Sequence, residues 1–228
     1  MGVRGPDGET RERCAILVGA DGAQGVVRRL LGESPRPECR YLAIQESFET
    51  GDSTPDGNEY LAFFHSAITD FYGWAIPKRG KTLLGVLLPP KHRLKKPVPM
   101  LWDDLRSALE RCGRTFPADG HRQACIALRP TPRDVLLGRD GAFCIGETAG
   151  FISPSSAEGY SYAFSSASAL AESMLAHSGF ERIFRAYKLG TAGLRLNLLL
   201  KNWKSGVMYS PTLRNLVMRS GILSEGAE

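Results

Sequence analysis

Cys144 to Ala171 reads CIGETAGFISPSSAEGYSYAFSSASALA, and the fold turns on how this stretch divides. Ala142 to Ile145 is a short apolar strand, the second arm of a hairpin that begins at Val135 and turns at Arg139-Asp140-Gly141. Gly146-Glu147-Thr148-Ala149-Gly150 follows as a loop, then a Pro/Ser segment. After Glu158-Gly159, small residues and aromatics recur at helical spacing to about His177, and Gly179 is the stop. A strand, a glycine-rich loop and a helix in this order make room for a ligand. Glycine lets backbone approach closely because no Cβ intervenes. The helix N-terminus offers unpaired N–H groups and the positive end of a dipole. An acidic side chain just past the strand can accept hydrogen bonds from a ribose. Ala163, Ser165, Ser166 and Ala167 keep the first helical turns slim enough to pack against a sheet or cofactor.

Working outward, Cys14 to Val18 is a continuous apolar run, the pattern of a buried parallel strand. Gly19-Ala20-Asp21-Gly22 ends it, and Gln24 to Leu31 is a short helix whose Arg28-Arg29 end suits the negative end of its dipole. Before it, Pro6-Asp7-Gly8 is a turn between hairpin arms, the first almost absent. In the middle of the chain, Tyr41 to Glu49, Glu59 to Ile68 and Lys81 to Leu88 read as strands, with DFYGWAIPK leading into a turn at Arg79-Gly80. Gly51 to Asn58 is a turn-rich connection. Together these predict an antiparallel sheet of about four strands, with one face available to wall a pocket.

Pro89 to Pro99 is a basic, proline-rich connector. Leu101, Leu105 and Leu109 define an amphipathic helix from Met100 to Gly113, and Arg114 to Pro132 reads as irregular. Phe180 to Arg219 is mostly helical, broken at Gly190, Gly193, Gly206 and Pro211, with Leu194, Leu198 and Leu199 facing the core.

With 228 residues, 43% hydrophobic and 23% charged, the chain fits an ordinary globular protein of one or two domains. No apolar run approaches the roughly 18 residues of a membrane helix. The polar start, MGVRGPDGETRER, has no apolar signal core, and Pro6 stands where a myristoylation signal has Ser or Thr. Five cysteines without Cys-x-x-Cys spacing suit reduced thiols in a cytoplasmic protein, with Cys144 a small buried strand residue. Four scattered histidines show no metal-ligand spacing. From Phe180 onward there are eight basic and three acidic residues, so this segment carries the net charge of +5. It reads as a solvated helical face, or as a contact for an anionic membrane surface or a phosphorylated group. No nucleic-acid signature accompanies it, so the expected location is cytoplasmic with peripheral membrane contact.

Three motifs carry a resemblance. Gly146-Glu147, Thr148-Ala149-Gly150, Pro154 and Ala157-Glu158-Gly159 resemble the second flavin-binding motif of the flavoprotein monooxygenase superfamily. That motif has Asp where this chain has Glu147, and Gly where it has Ala157. LVGADGAQGVVRRLLG is similar to the middle Asp-Gly motif of the same flavoproteins, and YGWAIPK to a Tyr-x-Trp-x-Phe-Pro-Lys strand of their geranylgeranyl reductase branch, with Ile76 in place of Phe.

The resemblance implies an α/β fold: a partial FAD-binding domain over 1–34 and 134–179, an antiparallel substrate sheet over 35–133, and a basic helical C-terminal region over 180–228. It implies FAD as cofactor, with NADPH or another electron donor, and an apolar small-molecule substrate such as an isoprenoid whose carbon–carbon double bonds are reduced. Asp21, Gly22, Gly146, Glu147, Gly150, Pro154 and Gly159 are the implied cofactor residues. Tyr72, Trp74 and Pro77 are the implied substrate wall, with Tyr72 a proton-donor candidate by position. The superfamily normally begins with a strand and a Gly-x-Gly-x-x-Gly loop, and this sequence holds no such pattern. The expectation is therefore a C-terminal two-thirds of a larger flavoprotein, binding FAD weakly or not at all unless another chain or segment supplies the glycine loop. A hydroxylase- or halogenase-like monooxygenase and a non-catalytic remnant of the fold are the alternatives.

Overall fold

The computed structural model describes residues 2–5, 8–11, 13–49 and 60–219. In chain order the elements are β1 (Gly2–Gly5), β2 (Gly8–Arg11), β3 (Leu17–Gly19), α1 (Val26–Leu30), β4 (Arg40–Glu49), β5 (Leu61–Phe63), β6 (Gly73–Lys78), β7 (Lys81–Leu88), α2 (Val98–Arg111), β8 (His121–Leu128), β9 (Gly138–Arg139), β10 (Ala142–Cys144), α3 (Tyr160–Ala176), α4 (Phe180–Gly190), α5 (Ala192–Met208) and α6 (Pro211–Arg219). Chain packing divides them into two units, 1–35 with 130–202 and 36–129 with 203–228. The expected 180–228 region is thus shared: α4 and most of α5 belong with the first unit, and α6 with the second.

In the first unit, β10 runs parallel to β3 and antiparallel to β9. Leu17, Val18 and Gly19 stand opposite Ala142, Phe143 and Cys144, so only the end of the apolar run from Cys14 is ladder. The β9–β10 turn has Asp140 at φ 53° and Gly141 at φ 83°, two successive left-handed residues that match the twist of a tight hairpin. β1 pairs with β2 from Gly2–Arg11 to Gly5–Gly8, a fuller first arm than the sequence suggests; Pro6 and Asp7 lie outside the described residues. Helices α3 to α5 bury Leu170, Ile183, Tyr187 and Leu198 around Phe143 and Phe151. Phe143 packs 4.9 Å from Phe180 and edge-on to Tyr187. Gly193 and Gly206 lie inside α5 and do not break it, and Leu199 is half-exposed where the periodicity placed it in the core. Its neighbour Leu198 holds the core position instead.

The second unit is built on a sheet of order β5–β6–β7–β4–β8, all neighbours antiparallel. It has five strands because residues read as irregular form β8. The reason is visible in its burial: His121 to Cys125 are exposed on an edge strand, so no apolar alternation marks them. The Glu59–Ile68 strand shrinks to β5, and the Gly51–Asn58 connection lies outside the described residues. Alternate residues of the sheet face α2. Ile44, Phe48, Leu84, Val86 and Leu88 pack against Leu101, Trp102, Leu105 and Leu109. Helix α2 starts inside the proline-rich connector, with Pro97 as cap and Pro99 in the first turn, where a missing N–H costs no intrahelical bond. Glu46 points the same way and is buried between two cations, 3.2 Å from Arg106 and 2.5 Å from Arg122.

Candidate functional site

The ends of β3 and β10 place both glycine-containing loops together. The strands are parallel neighbours, the loops leave from their carboxyl ends, and the Ile145 N–H donates to the Gly19 carbonyl at 3.0 Å. In open α/β sheets, ligands bind in the crevice at this end. Gly146 to Ala149 is one turn of tight helix ending at Gly150, which takes the left-handed conformation at φ 83°.

Thr148 joins the loops, a role its place in the motif did not announce. Its hydroxyl donates to Asp21 Oδ1 at 3.1 Å and accepts the Gly22 N–H at 2.7 Å. Asp21 Oδ2 accepts the N–H groups of Val26 at 2.5 Å and Val27 at 3.1 Å, so the carboxylate caps α1. Burial pushes the Asp21 pKa upward, but the bonds from Val27, Thr148 and Val26 outweigh it and hold the carboxyl below its ordinary value. Gly25 must be glycine here, because a Cβ would lie 2.1 Å from Asp21 Oδ1. Arg28, read as a helix-end charge, is buried; its guanidinium donates to the Asp134 carbonyl at 2.7 Å and the Thr148 carbonyl at 3.3 Å. Cys144 is wholly buried, and burial pushes its thiol up to about 11.

Glu147 is half-buried, and its Oε2 stands 4.0 Å from where a Gly22 Cβ would be. Among the described residues nothing else comes within that distance, and Gly22 has φ 73°. Gly22 therefore leaves space beside a carboxylate, room that a nucleotide's ribose and diphosphate need. Gly150 and Gly146 serve differently. A Cβ on Gly150 would strike the Asp134 carbonyl at 2.9 Å, and one on Gly146 would press on Ala163 at 3.3 Å, so both are glycines for packing within the protein. Pro154 is buried in a compact loop closed by bonds from Ser153 N–H to the Glu158 carbonyl and from Ala157 N–H to the Ser153 carbonyl. Ala157 sits at φ 54°, the left-handed region, where the related motif has glycine. Gly159 caps α3, and Glu158 accepts the Ser161 N–H at 2.8 Å. The residues present thus fit one wall of an FAD site, formed by Gly22 and Glu147.

Tyr72, Trp74 and Pro77 belong to the second unit. Tyr72 and Trp74 share the sheet face away from α2, with ring centroids 5.8 Å apart. The Trp74 indole lies over Gly85, where a Cβ would come within 2.3 Å, and its N–H donates to Gln45 Oε1 at 3.1 Å. Tyr72 is buried in a ring cluster with Phe71, Phe64 and Tyr209, the last from the C-terminal segment. Burial, then the hydrogen bond from Tyr60, raises its hydroxyl well above the ordinary tyrosine value. Pro77 faces Thr82 on β7, beyond the reach of β5, so its missing N–H disturbs no ladder bond on that side. Sequence reading missed the cation at this cluster: the Arg129 guanidinium sits 5.2 Å from the Phe71 ring and 4.9 Å from that of Tyr209. Among the described residues no group of His, Cys, Asp and Glu could hold a metal, and no helix is long and apolar enough to cross a membrane.

No family model matches the chain. Protein CbrA of Escherichia coli O6:H1 is 38% identical over 208 residues, covering 90% of this chain and 54% of CbrA. CbrA of Shigella dysenteriae serotype 1 is 39% identical, with 90% and 55% covered. The chain spans about half the length of the curated relatives it matches. Among solved structures, a geranylgeranyl bacteriochlorophyll reductase-like protein from Thermoplasma acidophilum superposes with a TM-score of 0.78 at 16% identity, over 99% of this chain and 58% of that one. Klebsiella pneumoniae HpxO, solved with FAD and uric acid, gives 0.61 at 16% identity, over 94% and 57%. Over the part it shares with them, the chain has the fold of these two proteins.

Proposed function

We propose that this chain carries the flavin-facing framework of an FAD-dependent oxidoreductase that reduces carbon–carbon double bonds of an isoprenoid or similar apolar substrate. The observation that carries the reading is the meeting of the two motif loops at the carboxyl ends of the parallel β3–β10 pair, with Glu147 facing the space left by the missing Cβ of Gly22. The fold likeness to an FAD-bound protein and to a geranylgeranyl bacteriochlorophyll reductase-like protein supports it.

When bound, the reduced flavin supplies the hydride for such a reduction, with NADPH or another donor as the electron source. The chain's residues bind, orient and shield. Glu147 accepts from ribose hydroxyls beside Gly22, and Gly159 lets the cofactor approach the backbone closely. Asp21 and Thr148 hold the two loops in register and leave the contact to their neighbours. Trp74 gives the substrate a flat apolar wall. Tyr72, beside Trp74 on the same wall, is the proton-donor candidate by position. A chain or segment bearing a Gly-x-Gly-x-x-Gly loop completes the diphosphate contact. The basic residues of α4 and of α5 up to Lys201, with exposed Leu196 and Leu200, meet an anionic membrane surface.

The test is a titration of FAD into the purified chain, followed by gel filtration. Flavin absorbance that co-elutes, is weakened at least tenfold by Glu147→Ala and is largely kept by Glu147→Asp supports the reading. FAD that elutes free, alone and in the presence of a glycine-loop polypeptide from a relative, removes it. For the membrane contact, the chain is expected to sediment with anionic vesicles and not with neutral ones, and to be released by salt.

A further inference from the structure

The β4–β8 sheet sorts its open face into rows. Residues opposite each other on antiparallel neighbours point to the same side, so Trp74, Gly85, Gln45 and Gln123 form one row. Ile76, Leu83, Ser47 and His121 form the next, and Lys78, Lys81 and Glu49 the third. Over three steps the face passes from aromatic, through aliphatic and hydroxyl, to cationic. At the cationic end a cavity of about 390 Å³ is lined by Lys78, Arg79, Lys81 and His121 over Ser47 and Leu83. That volume is in the range of small-molecule sites.

The charge there is one-sided. Among the described residues no carboxylate lines the cavity. The neighbouring acid, Glu49, is engaged by Lys81 at 2.7 Å, and among the described residues no ion pair involves Lys78 or Arg79. Arg79 itself stands in the left-handed region at φ 47°, in a turn position where Gly or Asn is the comfortable residue. The chain thus places an arginine, against its backbone preference, at the mouth of the cavity. Gln45 adds a fixed donor: its carbonyl oxygen is held by the Trp74 indole N–H, which leaves its NH₂ group for a ligand.

We propose that this cavity binds the oxyanion head, phosphate or carboxylate, of an amphiphile whose apolar stem runs over Leu83 and Ile76 to Trp74. The proposal names a substrate class for the Tyr72–Trp74 wall and rests on that part of the functional reading, not on flavin binding. Calorimetry on the purified chain, with ligands kept below their micelle concentrations, tests it. Decyl phosphate and decanoate are expected to bind, and the tighter of the two identifies the head. Decanol is expected to bind at least tenfold more weakly, and decyltrimethylammonium not at all. The double variant Lys78→Gln, Arg79→Gln alters two exposed side chains; it is expected to weaken the anion at least tenfold and to leave circular dichroism unchanged. With Trp74→Ala, decyl phosphate should bind no better than butyl phosphate. Equal affinity for decanol and decyl phosphate, or no loss in the double variant, overturns the proposal. FAD binding measured on the same preparation, alone and with the glycine-loop polypeptide, separates the two readings: amphiphile binding with no FAD binding in either case removes the flavin reading alone, and FAD binding without amphiphile binding removes this one alone.

Discussion

Thr148 is the residue through which the two loops hold each other, and its removal should show it. Thr148→Val keeps the shape but leaves the Gly22 N–H without its acceptor, so a loss of about 1–3 kcal/mol is expected in denaturant melts, with Thr148→Ser close to wild type. Asp21 makes a pH prediction. Its carboxyl is lowered in the folded state, so its contribution is present above the ordinary carboxylate range and lost as the pH falls through the folded value. The urea midpoint should drop between pH 6 and pH 3, and Asp21→Asn should flatten part of that drop; Glu158, also lowered, carries another part. Ala157 at φ 54° is a strained alanine. Left-handed backbone costs a non-glycine residue about 1–2 kcal/mol, while glycine's added chain entropy costs about 0.5–1. Ala157→Gly should therefore stabilise the protein by up to about 1 kcal/mol in the same melts. Asp21, Glu147 and Ala157 were all legible in the sequence as residue types. Which atoms they bond was not, because Thr148 and Arg28 act across more than a hundred residues of chain.

At the scale of elements, the strands with apolar alternation and the helices with leucine spacing were legible, and those decided by partners were not. Helix α2 announced itself through Leu101, Leu105 and Leu109, all buried. Strand β8 did not, since it exposes most of its residues and exists because β4 offers it a full edge to pair with. Glycines inside α5 looked like breaks but sit in a helix with packing on both sides of Leu198. Two substitutions test the sheet. Gly85→Ala puts a methyl into the Trp74 indole, and the overpacking should cost about 1–3 kcal/mol and release the indole N–H from Gln45, seen as a shifted Trp74 resonance. Arg106→Leu leaves buried Glu46 with Arg122 alone; a loss of about 3 kcal/mol is expected, larger than for Arg122→Leu, because Arg122 is half-exposed and Arg106 is not.

For the whole molecule, each unit has its own core, one around Phe143, Phe151 and Tyr187 and one around Phe48, Leu84 and Leu105. Leu105→Ala should cost about 2–5 kcal/mol. Its effect on hydrogen exchange should fall on amides of residues 36–129 and spare β10 and α3. Two motifs far apart in sequence both end the parallel strands of the first unit, and α5 runs as one helix across Asn202, where the chain passes from one unit to the other with no break in the sequence pattern to mark it. The cysteines turn this division into a built-in gauge. Cys14, Cys112 and Cys125 are exposed, whereas Cys144 is sealed in the first unit and Cys39 in the second. A thiol dye would mark three sulfurs at once, and in rising denaturant the fourth and fifth would each report, unprompted by any engineered label, the moment its own unit opens.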